Sequence, residues 1–142
     1  MAETIELEII SFHEVFLRSE IKDLYIPAFL GEAGVKSNHL PYLSLLKAGE
    51  ISYLDLSGAR HYLYCGEGFL EVMDNRITLI IDDIERGEDF KAEDLQEKLS
   101  ASEKRIKSSF QGGITPLELQ EELARQRELR LKLGICKKLG KK

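Results

Sequence analysis

The hydrophobic pattern of the chain changes its period near residue 88, and this change constrains the fold more than any other feature. Before that point, short apolar runs alternate with polar residues, as in a β-sheet; after it, the apolar spacing is helical. The net charge changes sign at the same place, from −9 over residues 1–88 to +4 over residues 89–142. This coincidence predicts two domains, 1–88 and 89–142.

The first domain is predicted to be an antiparallel β-sandwich or barrel. Ile5, Leu7 and Ile9 alternate with glutamates, and turn residues separate the other runs at spacings of about 8–12 residues. No amphipathic helix fits between the runs, so crossover connections are not expected. The other runs are Val15–Leu17, Ile21–Ile26, Tyr42–Leu46, Ile51–Leu56, His61–Cys65, Phe69–Met73 and Ile77–Ile81.

The second domain is predicted to be an antiparallel hairpin of two helices. A stripe at helical spacing marks the first helix, and residues 111–114 interrupt it. Thr115, Pro116 and Glu118 form a capping-box signal for the second helix. Gly134 disfavours helical structure, so the sequence does not clearly predict that the last turns after it are helical. The stripe consists of Leu95, Leu99, Ser102, Ile106 and Phe110.

No pattern in the sequence predicts catalysis, a metal site or a cofactor. The glycine pairs near residues 31–34 and 66–68 lack the lysine and the following helix of a phosphate loop. The three histidines have no carboxylate or cysteine close by in sequence, and the acidic run 82–85 is expected to be a solvated strand exit. These histidines are His13, His39 and His61.

The composition also argues against nucleic acid and against insertion into a membrane. A first domain with a charge of −9 would repel phosphate backbones. The longest apolar runs are five or six residues, whereas a spanning helix needs roughly 20. Met1–Thr4 show no signal or transit pattern. Cys65 and Cys136 are expected to be reduced and unpaired.

Residues 31–41 contain the most distinctive motif, which is predicted to be a turn. It reads Gly-Glu-Ala-Gly-Val, three further residues, then His-Leu-Pro. More motifs follow in order at Lys47–Ile51, Glu67–Val72, Asn75–Ile80 and Asp82–Gly87. Together they resemble the epsilon subunit of F-type ATP synthases over about residues 5–139. The resemblance implies a sandwich of about ten strands followed by a helical hairpin.

The resemblance also implies partners for the sandwich. It would dock on the foot of the rotating gamma subunit and contact the polar loops of the c-ring, where Glu32 could pair with basic groups. Glycines in the motif would let a partner approach the backbone closely. The implied contact residues are Gly31, Glu32, Gly34, Asn38 and His39.

For the hairpin, the resemblance implies regulation. An extended hairpin would reach the alpha and beta catalytic subunits and inhibit ATP hydrolysis. The segment 124–142, here called the basic segment, carries a net charge of +7, which would attract an acidic partner. The implied inhibitory residues are Arg125, Arg127, Arg130 and Lys132.

The chain departs from the family at the motif with which some members bind ATP. Lys91 stands in place of an acidic residue and Asp94 in place of an arginine. The reversed charges argue against ATP sensing, so no cofactor is expected.

Two other classes of function stay open at this stage. One is a non-motor adaptor built on a sandwich and a hairpin, and the other is a small enzyme whose site the sequence hides. As a rotor subunit, the chain would itself be non-catalytic. It would couple proton-driven rotation to ATP synthesis, peripheral at the cytoplasmic face of a bacterial plasma membrane.

Overall fold

The computed structural model describes residues 3–141 and divides the chain into two compact units, which meet between Arg86 and Gly87. The first unit is a β-structure and the second is helical. Met1, Ala2 and Lys142 lie outside the described residues. Two predictions therefore fall partly outside the described residues. They are the absence of a signal pattern at Met1–Thr4 and the last lysine of the basic segment.

Nine strands form the first unit over the described residues. Two predicted runs, Val15–Leu17 and Ile21–Ile26, are parts of one long strand, because the residues between them continue its pairing with the first strand. The strands are β1 (Ile5–Ile10), β2 (Val15–Ala28), β3 (Gly31–Lys36), β4 (Tyr42–Leu46), β5 (Gly49–Asp55), β6 (Arg60–Cys65), β7 (Gly68–Met73), β8 (Arg76–Ile81) and β9 (Ile84–Arg86).

The prediction of a turn over residues 31–41 is wrong for its first half. Gly31–Lys36 form β3, which pairs antiparallel with β2 from Ala28↔Gly31 to Asp23↔Lys36. The glycines suggested a loop, but neighbouring β2 supplies the hydrogen-bonding partners that make this segment a strand. The acidic run is divided as well, because Ile84–Arg86 form β9 on the edge of β6.

The strands follow the order β1-β8-β7-β4-β2-β5-β6-β9, with β3 on β2, and a second pairing joins β1 to β2. All described pairs are antiparallel except β1 with β8, which run parallel. Alternate residues of β1 point inward, so Ile5, Leu7 and Ile9 are buried, as their spacing predicts. They join one apolar core with residues such as Leu24 and Leu79.

The second unit contains a short 3-10 helix, η1 (Gly87–Asp89), and two α-helices, α1 (Ala92–Ser109) and α2 (Pro116–Lys138). In α1 the predicted stripe is buried at Leu95, Leu99 and Ser102. Phe110 is wrongly included in that stripe: it lies beyond the helix and is 83% exposed. The chain turns away at this point, and Gly112 adopts a φ of +101°.

The capping box of α2 is present as predicted. The Glu118 N–H donates to Thr115 Oγ1 at 3.2 Å, and the Thr115 N–H donates to Glu118 Oε2 at 3.3 Å. Gly134 does not end the helix, which continues to Lys138, because Ile135 and Cys136 are buried immediately after it. Ion pairs between Arg105 and Glu122 and between Arg130 and Glu103 join the helices as an antiparallel hairpin.

Candidate functional site

The β5–β6 turn brings together a serine, an aspartate and a histidine, the three residue types of a catalytic triad. Asp55 accepts hydrogen bonds from the Ser57 hydroxyl at 2.6 Å and from His61 Nε2 at 2.7 Å. The His61 ring also stacks on Tyr53, with ring centroids 4.8 Å apart. The sequence analysis missed this histidine–carboxylate pair because the two residues are six positions apart.

The order of these three groups does not suit nucleophilic catalysis. The aspartate lies between the hydroxyl and the imidazole, whereas a base must contact the hydroxyl that it activates. The Ser57 hydroxyl, followed by His61, holds the pKa of the Asp55 carboxyl well below its usual range. We interpret the cluster as a turn-stabilising network, because the Asp55 carboxylate also accepts the backbone N–H groups of Ser57 and Ala59.

The cysteines do not form a reactive site either. Both are free and buried, and burial raises the pKa of the Cys65 thiol to about 12. A thiol with such a pKa is protonated at neutral pH and is a poor nucleophile. Within residues 3–141, no group of histidine, cysteine, aspartate and glutamate side chains is arranged to hold a metal ion. Neither described helix is long and apolar enough to cross a membrane.

The predicted contact residues lie at two ends of β3. Gly31 and Glu32 follow the β2–β3 turn, where Leu30 is 92% exposed. Gly31 has a φ of +137°, a conformation that favours glycine. Glu32 is exposed, so its carboxylate is accessible from outside the sandwich.

Asn38 and His39 lie beyond the other end of β3, about 17 Å away by the rise of a strand. The Asn38 N–H donates to Asn75 Oδ1 at 2.8 Å, and Asn75 Nδ2 donates to the Thr4 carbonyl at 2.9 Å. His39 Nδ1 lies 2.6 Å from the Leu40 carbonyl. Four of the five predicted residues therefore lie at two separate places, and Gly34 lies between them.

Gly34, in the middle of β3, has a structural role in the sandwich. A Cβ at this position would lie 3.0 Å from Cε1 of Tyr25, its cross-strand partner. Glycine leaves space for that ring, over which the Arg60 guanidinium lies at 5.5 Å.

An apolar row crosses the outer face of the sandwich, and the sequence analysis did not identify it. Cross-strand pairing aligns its members in adjacent strands, and all are exposed or half-buried. Such contiguous exposed apolar surface marks an interaction site in soluble proteins. The members of the apolar row are Val15, Ile10, Ile80, Phe69 and Leu45.

A signal for the apolar row was present in the sequence. Ile77–Ile81 is apolar at four of five positions, so both faces of that strand carry apolar side chains. An antiparallel strand with one solvated face should alternate instead. The row ends beside a cleft of about 330 Å³ lined by Phe29, Lys47 and Glu67 among others.

The predicted inhibitory residues of α2 are partly engaged within the hairpin. Arg125 and Arg105 both pair with Glu122 at 3.0 Å, and the Glu122 side chain is only 10% exposed. The Ser102 hydroxyl, followed by Arg105, lowers the pKa of the Glu122 carboxyl. Arg130 makes a longer pair of 3.8 Å with Glu103.

Lys132 and Arg127 differ in accessibility. The Lys132 side chain is 12% exposed, and its ammonium lies 3.6 Å from Glu128 and 5.7 Å from the centre of the Phe90 ring. Arg127 is exposed. Of the four predicted residues, Lys132 is therefore the least accessible to a partner while the hairpin is closed.

A cleft of about 760 Å³ lies between the two helices, next to the stretch that carries the ATP motif in some members of the resembling family. Glu93 and Glu97 line it together with Lys104, Leu133 and Cys136. Lys104 and Lys141 balance these two carboxylates, so the charge of the cleft lining neither favours nor disfavours phosphate groups.

Comparison with protein families identifies the β-structure. Residues 4–87 match the model described as "ATP synthase, Delta/Epsilon chain, beta-sandwich domain". The ATP synthase epsilon chain of Nitratidesulfovibrio vulgaris strain DP4 is 32% identical over 130 residues, which cover 89% of this chain and 96% of that one. The corresponding chain of Desulfosudis oleivorans is 33% identical over 108 residues, covering 76% and 81%.

Solved structures share the fold at lower identity. A chain of the Euglena gracilis mitochondrial ATP synthase, in a structure of OSCP, F1 and the c-ring, aligns with a TM-score of 0.67 at 19% identity, covering 99% of this chain and 81% of that one. A chain of the Tetrahymena thermophila enzyme, in a structure of the central stalk and c-ring, gives 0.57 at 12% identity, covering 91% and 93%.

Proposed function

The chain belongs to the family of ATP synthase epsilon chains, and on that premise we propose that it works in the central stalk through two separate surfaces. It is a non-catalytic subunit of that enzyme. The sandwich would hold it on the rotor, and the hairpin would inhibit ATP hydrolysis by blocking rotation in the hydrolysis direction. We assign these roles to residues 1–88 and 89–142.

The apolar row is the observation that carries this proposal. A rotor subunit must remain bound to the stalk under torque, and burial of apolar surface is the main source of such affinity. Leu45, Phe69 and Ile80 are each about half exposed, at 49, 53 and 46%. We assign this row to the gamma subunit, because the c-ring loops of the family are polar.

The β2–β3 end suits the c-ring loops. Glu32 supplies an exposed charge there, and Gly31 leaves the backbone open to close approach. We place Asn38 and His39 at a second contact, about 17 Å along β3, as the rise of a strand gives. Gly34 acts indirectly, by leaving space for Tyr25.

The hairpin would inhibit ATP hydrolysis when it opens and presents the basic segment to the alpha and beta subunits. Support comes from its charge and from the ion pair between Arg130 and Glu103, which engages Arg130 with α1 in the closed state. Since the named bacterial relatives are epsilon chains, we further propose the cytoplasmic face of a bacterial plasma membrane as the location.

The docking proposal is tested by comparing two leucines of equal exposure. Leu45 lies in the apolar row and Leu56 lies in the β5–β6 turn, and each is 49% exposed. Leu45→Glu should weaken binding to gamma by about tenfold or more, since it places a charge in an apolar contact. Leu56→Glu should bind as the wild type does.

Binding is measured by surface plasmon resonance with immobilised gamma subunit, and folding of each variant is checked by circular dichroism. Equal affinities for both variants would mean that the apolar row is not the docking surface. Weakening by Leu56→Glu alone would move the interface to the β5–β6 turn.

A further inference from the structure

The C-terminal end of α2 turns back toward the start of the helical unit. It forms a Schellman motif, in which the Gly140 N–H donates to the Lys137 carbonyl at 3.1 Å and the Lys141 N–H donates to the Cys136 carbonyl at 2.9 Å. Gly140 has a φ of +75°, which a residue with a side chain would adopt only with strain. The motif thereby directs Lys141 toward residues 87–90.

The Lys141 ammonium lies among three backbone carbonyls. Nζ donates to the carbonyls of Gly87 at 3.2 Å, Glu88 at 2.6 Å and Phe90 at 2.7 Å. An ammonium has three N–H donors, so this arrangement uses all of them. A charged donor makes stronger hydrogen bonds than a neutral one. The last described residue of the chain is thereby bound to the segment that precedes α1.

A second contact holds the same segment. Phe90 is 8% exposed, and the Lys132 ammonium lies 5.7 Å from the centre of its ring. Lys91, at the N-cap of α1, makes no capping hydrogen bond with its side chain. The start of α1 therefore relies on α2 more than on its own cap.

We propose that Lys141 is a clasp that holds the hairpin closed and sets the fraction of molecules in which it opens. The hairpin cannot extend while Nζ stays bound to the three carbonyls, because they belong to η1 and its junction with α1. This inference rests on the proposed inhibitory role of the hairpin. It adds that the inhibition is controlled from the end of the chain.

The first test uses hydrogen exchange of the isolated full chain. Lys141→Ala should speed amide exchange in η1 and in the last turns of α2 by about tenfold, a change in the range expected for lost charged hydrogen bonds. Lys137→Ala is the matched control, because it removes the same charge from an exposed position on the same helix end. Exchange in the sandwich should stay as in the wild type.

A second variant displaces Lys141 from its three carbonyl partners without changing any charge. Gly140→Ala meets no neighbouring atom within 4 Å, but it strains the left-handed conformation that positions Lys141. It should speed exchange in the same segments. Wild-type exchange in Lys141→Ala would overturn the clasp, and so would an equal effect of Lys137→Ala, since loss of charge alone would then explain the result.

A separate assay distinguishes the clasp from the function on which it rests. ATP hydrolysis by the reconstituted complex should be inhibited more strongly by Gly140→Ala than by the wild type, because more hairpins are open while the basic segment keeps its charge. Faster exchange with unchanged hydrolysis would support the clasp and contradict the inhibitory role. Unchanged exchange would contradict the clasp whatever the hydrolysis rate.

Discussion

The sandwich and the hairpin are held together by different kinds of contact. The sandwich core is a single cluster of apolar side chains, many of them with no exposed surface. The two helices of the hairpin instead bury the polar residues Ser102, Glu122 and Gln126 beside only five apolar ones, Leu95, Leu99, Leu129, Ile135 and Cys136. Burying apolar side chains in a packed core contributes a large free energy, which is lost when those side chains meet water. Charged groups that leave an ion pair can instead form contacts with water or with a partner at little cost. The contrast suits one unit that stays folded and another that opens.

The difference in packing between the sandwich and the hairpin is tested most strongly by a cavity in the sandwich core. Leu79 is fully buried between strands, and Leu79→Ala should cost about 3–5 kcal/mol of unfolding free energy. Leu43→Ala, at an exposed position two strands away, should cost less than about 0.5 kcal/mol. Denaturant unfolding measures both. Similar small losses would mean that the sandwich core is no more tightly packed than the hairpin.

The corresponding change in the hairpin should be smaller and local. Glu122→Gln leaves Arg105 and Arg125 facing each other without their carboxylate. We expect a loss of about 1–2 kcal/mol, since both arginines remain half exposed and hydrated. Hydrogen exchange should quicken in α1 and α2 only. A matching change in the sandwich would contradict the independence of the two units.

Acid should act on the hairpin through the same residue. The folded-state pKa of Glu122 is below its ordinary value of 4.5, so its contribution to stability is complete above that value. The contribution is lost as the pH falls below 4.5 and through the lowered pKa. The protection factors of amides in α1 and α2, which are corrected for the slower intrinsic exchange in acid, should therefore fall on acidification in the wild type and much less in Glu122→Gln. Identical pH profiles would exclude Glu122 as the group responsible.

The inhibitory role of the basic segment can be examined with a single exposed charge. Replacing Arg125, Arg127, Arg130 and Lys132 together by glutamine should weaken inhibition, but that change also removes the Arg130–Glu103 ion pair and the contact of Lys132 with Phe90, which hold the hairpin closed. Arg127→Gln avoids the ambiguity. It should weaken inhibition about twofold to fivefold, which corresponds to one exposed ion pair. High salt should produce a similar loss in the wild type.

As a control, amide hydrogen exchange in the hairpin should be the same in Arg127→Gln as in the wild type. Unchanged inhibition in the fourfold variant would indicate that shape, and not charge, blocks rotation.

The smallest signal is expected when the binding of ATP is measured. Isothermal titration of the chain with ATP should give no saturable heat up to millimolar concentrations, because the charges at Lys91 and Asp94 are reversed relative to the ATP motif of the family. A micromolar site on the hairpin would contradict this interpretation of Lys91 and Asp94.

The features of the fold that the sequence predicted well depend on residues that are close together in the chain. Alternation placed the inward residues of β1, and the capping box placed the start of α2 at Pro116. Both depend on neighbours within a few positions. β3 was missed because its glycines favour turns, and only its pairing with β2 makes it a strand.

The sites were harder to predict because they depend on contacts between distant residues. Asp55 and His61 meet through the β5–β6 turn, and the apolar row exists only because five strands align in one register. The clasp joins Lys141 to Phe90 across 51 positions, through a backbone carbonyl that has no sequence signature.

The parallel pairing of β1 with β8 has a consequence for how the chain is made. Strand β1 leaves the ribosome well before its partner β8, which lies about 70 residues later, at Glu6↔Arg76 and onward. Closing so long a loop is entropically unfavourable until many contacts form together, so the pairing belongs to a late step of folding. Until residue 81 is free, β1 has an open edge, which is exposed to other chains. The hairpin follows the strands in the chain and therefore emerges after all of them.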